Sequence, residues 1–206
     1  MAELLQLLLR AVADSLAPIF QQLRHTNTLL SNALLLTRAT GIRAQECIDL
    51  RLDCLQQVGE QEAALHVPLG KLHSERWVPV DQETQHILAR IVELRALSPA
   101  TWLAKSDNFL LPRCRGGRHP VHDMLCHALA QAALRAGCTS KVTLHRLRHT
   151  YATEMIRLGV SLPALMQMLG HKDINMTLRY YLQKVDMCSW CPKSRVVNVR
   201  AWLDSA

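Results

Sequence analysis

The chain begins with apolar residues recurring at helical spacing: in "MAELLQLLLRAVADSLAPIF" the leucines gather while Glu3, Arg10 and Asp14 interrupt the run. The pattern is that of an amphipathic helix and matches neither a secretory signal nor a membrane span. Helical spacing continues through "SNALLLTRATGIRAQECIDL", where Ser31 is placed to cap one helix, Thr40-Gly41 to break it, and a second helix to start near Ala44. Arg43 falls at that junction. The period then shortens. Strand-compatible runs at 63–69 and 76–80 flank the polar "GKLHSE", which predicts a hairpin with Lys71 at its bend. "DQETQHILARIVELRAL" returns to helical spacing, with Asp81 as N-cap and Ile87, Ile91 and Leu94 on one face. Further helices are expected from about Val121 to Gly137, from Thr143 to Gly159, and from Ser161 as N-cap with Pro163 in the first turn. A last helix follows that Asn175 can cap. The expected fold class is mainly α with a small antiparallel β-sheet or hairpin. No internal repeat interrupts it, so one compact unit is predicted. Residues 184–206 are less regular, and "SRVVNVRAW" suits either a short strand or a docking segment.

Composition narrows the function class. The 206 residues are 49% hydrophobic and 20% charged, enough for one real core. Lys and Arg outnumber Asp and Glu by 24 to 17, and the net charge of +7 leans toward a polyanionic partner such as nucleic acid. With no targeting segment, a soluble cytoplasmic protein without a membrane partner is expected. Seven scattered cysteines, an odd number, do not form a secreted disulfide framework. Cys188 and Cys191 have metal-like spacing, but they supply two of the four ligands zinc takes, so no metal site is expected.

Several positions carry candidate chemistry. In "TLHRLRHTYATEMI", His145 and Arg148 lie three apart and share a helical face, as two cations on any solvated face would; His149 competes with them. The segment "LPRCRGGRHP" sets Arg113, Arg115 and Arg118 around two glycines, suited to phosphate contact or to an ordinary solvated loop. More specific is the ordered set: Arg43 after "ATG", Lys71 on the hairpin, His145 and Arg148, His171 in "LGH", and Tyr180 nine residues later. In "TGIRAQECIDL", "GKLHSERWVPV", "LHRLRHTYATEMIRLGVSLPALMQMLGH" and "TLRYY", spanning roughly residues 31 to 183, the sequence resembles the tyrosine recombinase (phage integrase) family.

That resemblance implies a DNA breaking-rejoining catalytic-domain fold over residues 1–183 and a tail at 184–206 that docks in cis or in trans. The family's N-terminal core-binding clamp domain is expected to be absent. It implies Arg43 and Arg148 as catalytic arginines, Lys71 as the hairpin lysine and general acid, His145 and His171 as paired histidines, and Tyr180 as nucleophile. Glu46, three residues beyond Arg43, would hold that arginine, while Tyr181 would be a packing aromatic. The residue types suit phosphoryl transfer. Planar, permanently charged guanidiniums clamp two oxygens of a phosphodiester as charge grows on it. A tyrosine, with an ordinary pKa of about 10, needs such cations or a proton acceptor to attack near neutrality. The implied scheme uses no metal, cofactor or ATP. The implied partners are double-stranded DNA and further copies of the chain in a synaptic tetramer. A noncatalytic DNA-binding relative is the alternative reading, and supercoil relaxation by the same nicking-closing chemistry a third.

Overall fold

A computed structural model describes residues 16–58, 63–68, 75–113 and 118–178. Helix α1 (Ala17–Thr26) ends where Asn27 turns left-handed, and α2 (Leu29–Thr40) follows at once. The cap of α2 is Thr28 rather than Ser31. Thr28 Oγ1 accepts from Ser31 N at 3.2 Å, and Ser31 Oγ returns the bond by accepting from Thr28 N at 2.6 Å. Ser31 is thus the third helical residue of a reciprocal capping box. Gly41, in the left-handed region at φ 65°, closes α2 as expected, and α3 (Ala44–Ile48) starts three residues on.

α2 is buried nearly all round, which is why its sequence shows an apolar run instead of a stripe. It packs against α1, α4 (Gln82–Ala96), α6 (Arg118–Arg135) and α7 (Leu144–Arg157). Its buried hydroxyls bond backward along the helix, Thr37 to Ala33 O at 2.9 Å and Thr40 to Leu36 O at 2.7 Å, so burying them leaves no donor unmatched. Leu34, Leu36, Ile42, Ile48, Leu50 and Ile91 form the centre of the main core.

The hairpin is present, with a third strand at its side. β1 (Leu55–Gln57), β2 (Ala63–Val67) and β3 (Arg76–Val80) make an antiparallel sheet in the order β1-β2-β3, with Leu65 opposite both Leu55 and Val78. Inward Val78 and Val80 alternate with outward Trp77 and Pro79, the half-buried pattern of an antiparallel sheet. Lys71 lies outside the described residues. Asp81 caps α4, accepting from Thr84 N at 2.8 Å. A short helix, α5 (Ala100–Leu103), leads toward α6.

Helix α8 (Leu162–Leu169) is capped by Ser161 and packs on α7 through Tyr151, Ala152, Ile156, Leu165 and Leu169, with Met155 and Met168 against them. The last described helical turn, 174–178, is capped by Asp173, whose carboxylate accepts from Asn175 N at 2.9 Å; Asn175 is not the cap. Of the cysteines described, Cys47 and Cys54 are buried, whereas Cys126 is exposed and Cys138 half-exposed, so burial accounts for only some of the thiols. Among the described residues no helix is long and apolar enough to cross a membrane. The segment 184–206 lies outside the described residues.

Candidate active site

Three separate stretches of sequence, carrying Arg43 with Glu46, Arg148, and His171, meet where α3 starts, α7 passes and α8 ends. Arg148 is 2% exposed, an extreme position for a residue that cannot lose its charge. It donates through Nη1 to Gly41 O at 2.6 Å and through Nη2 to Leu169 O and to His171 Nε2, the latter at 2.9 Å. His171 Nδ1 lies 2.8 Å from Thr177 Oγ1. An arginine only donates, so Nε2 accepts, the ring proton sits on Nδ1, and the threonine oxygen receives it. Burial, then the charges of Arg148, Arg43 and Arg76, push the His171 pKa down to about 4, consistent with a neutral ring.

Arg43 is held from both sides. Its Nη1 donates to Glu46 Oε1 at 2.8 Å and its Nη2 to Gly170 O at 3.4 Å, while its backbone N donates to Glu46 Oε2 at 2.6 Å. Because Glu46 is the third residue of α3, one carboxylate both closes the helix start and orients the arginine just before it. Arg76 meets the same carboxylate with two donors, Nη1 to Oε1 at 3.0 Å and Nη2 to Oε2 at 2.9 Å. Burial alone would raise the Glu46 carboxyl. The bonds and charge of Arg76, followed by those of Arg43, outweigh it and hold the carboxyl below its ordinary value.

The end of α8 supplies the remaining acceptors. Gly170, left-handed at φ 62°, and His171 bond back to Gln167 O and Met166 O as a Schellman stop. The next three carbonyls go to three arginines in turn: Met168 O to Arg76 Nε at 2.8 Å, Leu169 O to Arg148 and Gly170 O to Arg43. A helix C-terminus carries partial negative charge, which favours a row of cations there. A groove of about 410 Å³, lined in part by Arg76, Met166, His171 and Lys172, opens beside the row.

His145 is exposed one turn before His149, their rings meeting edge to face with centroids 4.5 Å apart. Burial and then Arg148 lower the His145 pKa; burial and then His145 lower that of His149. Arg113 and Arg118 instead converge on Asp49, at 3.2 and 2.8 Å, and Arg113 lies 3.4 Å over the Phe109 ring. Lys71, Arg115, Tyr180 and Tyr181 lie outside the described residues. Among the described residues no group of three or more His, Cys, Asp or Glu is placed to hold a metal ion. Sequence reasoning assigned nothing to Arg76 or Thr177. The available signal for Arg76 is its alternation with Val78 and Val80, which puts a charge at an inward strand position.

A model of the phage integrase family matches residues 8–187. Tyrosine recombinase XerD of Proteus mirabilis is 30% identical over 143 residues, and XerD of Brucella suis biovar 1 is 31% identical over 144; each alignment covers 69% of this chain and 44% of the relative. The chain therefore spans less than half the length of these relatives. Among solved structures, XerH bound to its difH substrate in a pre-cleavage complex superposes with a TM-score of 0.66 at 18% identity, over 84% of this chain and 50% of that one. XerA recombinase gives 0.66 at 22% identity, over 88% and 62%. A lambda integrase dimer bound to a COC′ core site gives 0.59 at 17% identity, over 81% and 46%. At such identities the likeness is one of fold: mostly helical with a small antiparallel sheet.

Proposed function

The chain belongs to the phage integrase family of tyrosine recombinases, and from that premise we propose that it is the catalytic part of a site-specific DNA recombinase. The observation carrying this reading is the meeting of Arg43 and Arg148 on adjacent carbonyls of one helix end. Two guanidiniums brought to neighbouring carbonyls supply the kind of planar donors that match the two nonbridging oxygens of a phosphodiester.

In the proposed reaction the Tyr180 phenol oxygen attacks a backbone phosphorus and its proton leaves to a neighbouring base. Exposed His145, its pKa lowered by burial and by Arg148 and Arg43, suits that base. The P–O5′ bond breaks, Lys71 protonates the departing 5′-oxygen, and a 3′-phosphotyrosine remains. Another 5′-hydroxyl reverses the step, so the bond energy is kept and no ATP is consumed. Arg43 and Arg148 stabilise the charge that grows on the nonbridging oxygens; His171, its Nε2 turned to Arg148, holds that guanidinium in place. The excess of positive charge and the family together support duplex DNA as partner, with strand exchange between DNA sites requiring several copies of the chain.

The test is covalent trapping on a nicked duplex, without added metal, comparing wild type with Tyr180→Phe and Tyr181→Phe on denaturing gels. An adduct lost only in Tyr180→Phe supports the assignment. An adduct that survives Tyr180→Phe overturns it. Salt-sensitive DNA binding with no adduct in the wild type favours a noncatalytic DNA-binding protein instead.

A further inference from the structure

Arg76 opens β3, on the inward side of the strand, where its neighbours Val78 and Val80 belong to the apolar core. Burying a cation there is costly unless each donor is met. Three of its donors are met by groups of the arginine cluster: Nη1 and Nη2 by the two oxygens of Glu46, and Nε by Met168 O. Each Glu46 oxygen thereby accepts twice, Oε1 from Arg43 and Arg76 side chains, Oε2 from Arg43 N and Arg76. A carboxylate has about four acceptor directions, and all four are in use. Glu46 cannot rotate without giving up bonds to both arginines. Arg76 is also the first residue of the strand that leads out of the 69–74 hairpin segment, so it ties the base of the hairpin to the start of α3 and the end of α8.

We propose that Arg76 is a positioning residue of the recombinase reaction: by locking the Glu46 carboxylate it fixes Arg43 in its phosphate-facing orientation and anchors the hairpin to the same frame. The inference rests on the recombinase reading for its catalytic consequence. Its structural half, the dependence of Arg43 on Arg76, stands without it. With Nη1 and Nη2 turned to Glu46 and Nε to Met168 O, Arg76 acts through Glu46. A lysine at position 76 keeps the charge and can reach one Glu46 oxygen but loses the two-pronged grip.

The experiment uses the full chain as wild type, Arg76→Lys and Arg76→Met, with thermal melting to establish that each is folded. Nitrogen-resolved NMR reads the Arg43 side chain, whose Nη protons are resolved only while rotation of the guanidinium is hindered. Single-turnover cleavage of the nicked duplex is measured against DNA concentration. Expected are collapse of the resolved Arg43 signals in Arg76→Met, a fall of about 100-fold in cleavage at saturating DNA, an unchanged half-saturating DNA concentration, and partial recovery of signals and rate in Arg76→Lys. Unchanged Arg43 signals in folded Arg76→Met overturn the inference, as does a loss expressed only in DNA affinity. If Arg76→Met does not fold, Arg76→Lys carries both readouts, and wild-type behaviour in it overturns the inference. A wild type that forms no adduct counts against the recombinase reading, while the Arg43 signals still decide whether Arg76 positions that side chain.

Discussion

The Arg148 guanidinium donates to Nε2 of His171 at 2.9 Å, so the arginine and the histidine are a donor and an acceptor rather than two competing cations. The pair can stay intact only while the imidazole is neutral, since a second proton would have to sit on the nitrogen that faces Arg148. A row of three arginines with one carboxylate among them makes that proton expensive.

A first prediction concerns acid. The folded His171 pKa is lowered from 6.5 to about 4, so between these values the unfolded chain binds a proton that the folded chain refuses. The contribution is complete above pH 6.5 and is lost as pH falls toward 4. His145 and His149 are shifted in the same direction, so they add to the slope. Melting temperatures should decline from pH 7 to pH 4, and less steeply in His171→Gln. An equal slope in the variant would remove His171 from the account.

Thr177 is fully buried and receives the Nδ1 proton of His171. Thr177→Val keeps the shape and removes the acceptor of a buried hydrogen bond, at a cost of about 0.5–1.5 kcal/mol. Urea unfolding should show that loss, and nitrogen NMR of the ring should show a changed tautomer balance. Thr177→Ser should restore both.

Gly41 has φ 65°, and a Cβ there would come within 2.7 Å of Tyr151 Cε1. Its carbonyl also receives Arg148 Nη1. Gly41→Ala combines a left-handed backbone penalty with overpacking against a buried ring, together about 3 kcal/mol or more. The expected result is a melting temperature lower by about 6 °C or more. Tyr151→Leu in the same chain should recover part of it by clearing the clash.

Glu46 is the carboxylate shared by Arg43 and Arg76. Glu46→Ala strands the buried Arg76 guanidinium, and breaking a buried pair from one side costs about 3–5 kcal/mol. Urea midpoints at neutral pH measure it. Glu46→Asp, which retains the charge on a shorter arm, should lie between the two; stability equal to wild type in Glu46→Ala would contradict the ion-pair account.

Much of this arrangement is readable from the chain, and what is not has physical reasons. The change of period between 63 and 80 marks the hairpin because side-chain direction alternates in a strand and winds in a helix. Arg43, His145, Arg148 and His171 stand out through their order and spacing, and the fold brings Arg43, Arg148 and His171 together. The caps were displaced by small amounts for one reason: Thr28 and Ser31, or Asp173 and Asn175, are pairs in which either member has capping chemistry, and only backbone conformation decides which one serves. Arg76 is visible as a charge at an inward strand position, yet its partners lie 30 and 92 residues away. Arg113 shows the converse: a loop arginine suited to phosphate in sequence is stacked on Phe109 and paired with Asp49 in space.

The acceptors at the end of α8 are main-chain oxygens, and this divides the kinds of change the protein can absorb. Replacing the side chain of Met168 or Leu169 leaves the carbonyls where they are, so point substitutions there act only through packing. Inserting or deleting one residue within α8 turns the helix end by about 100° and shifts it by about 1.5 Å, presenting different oxygens to Arg43, Arg76 and Arg148 at once. The length of that helix, counted from its Ser161 start to its Gly170 stop, therefore works as a ruler for the cation cluster.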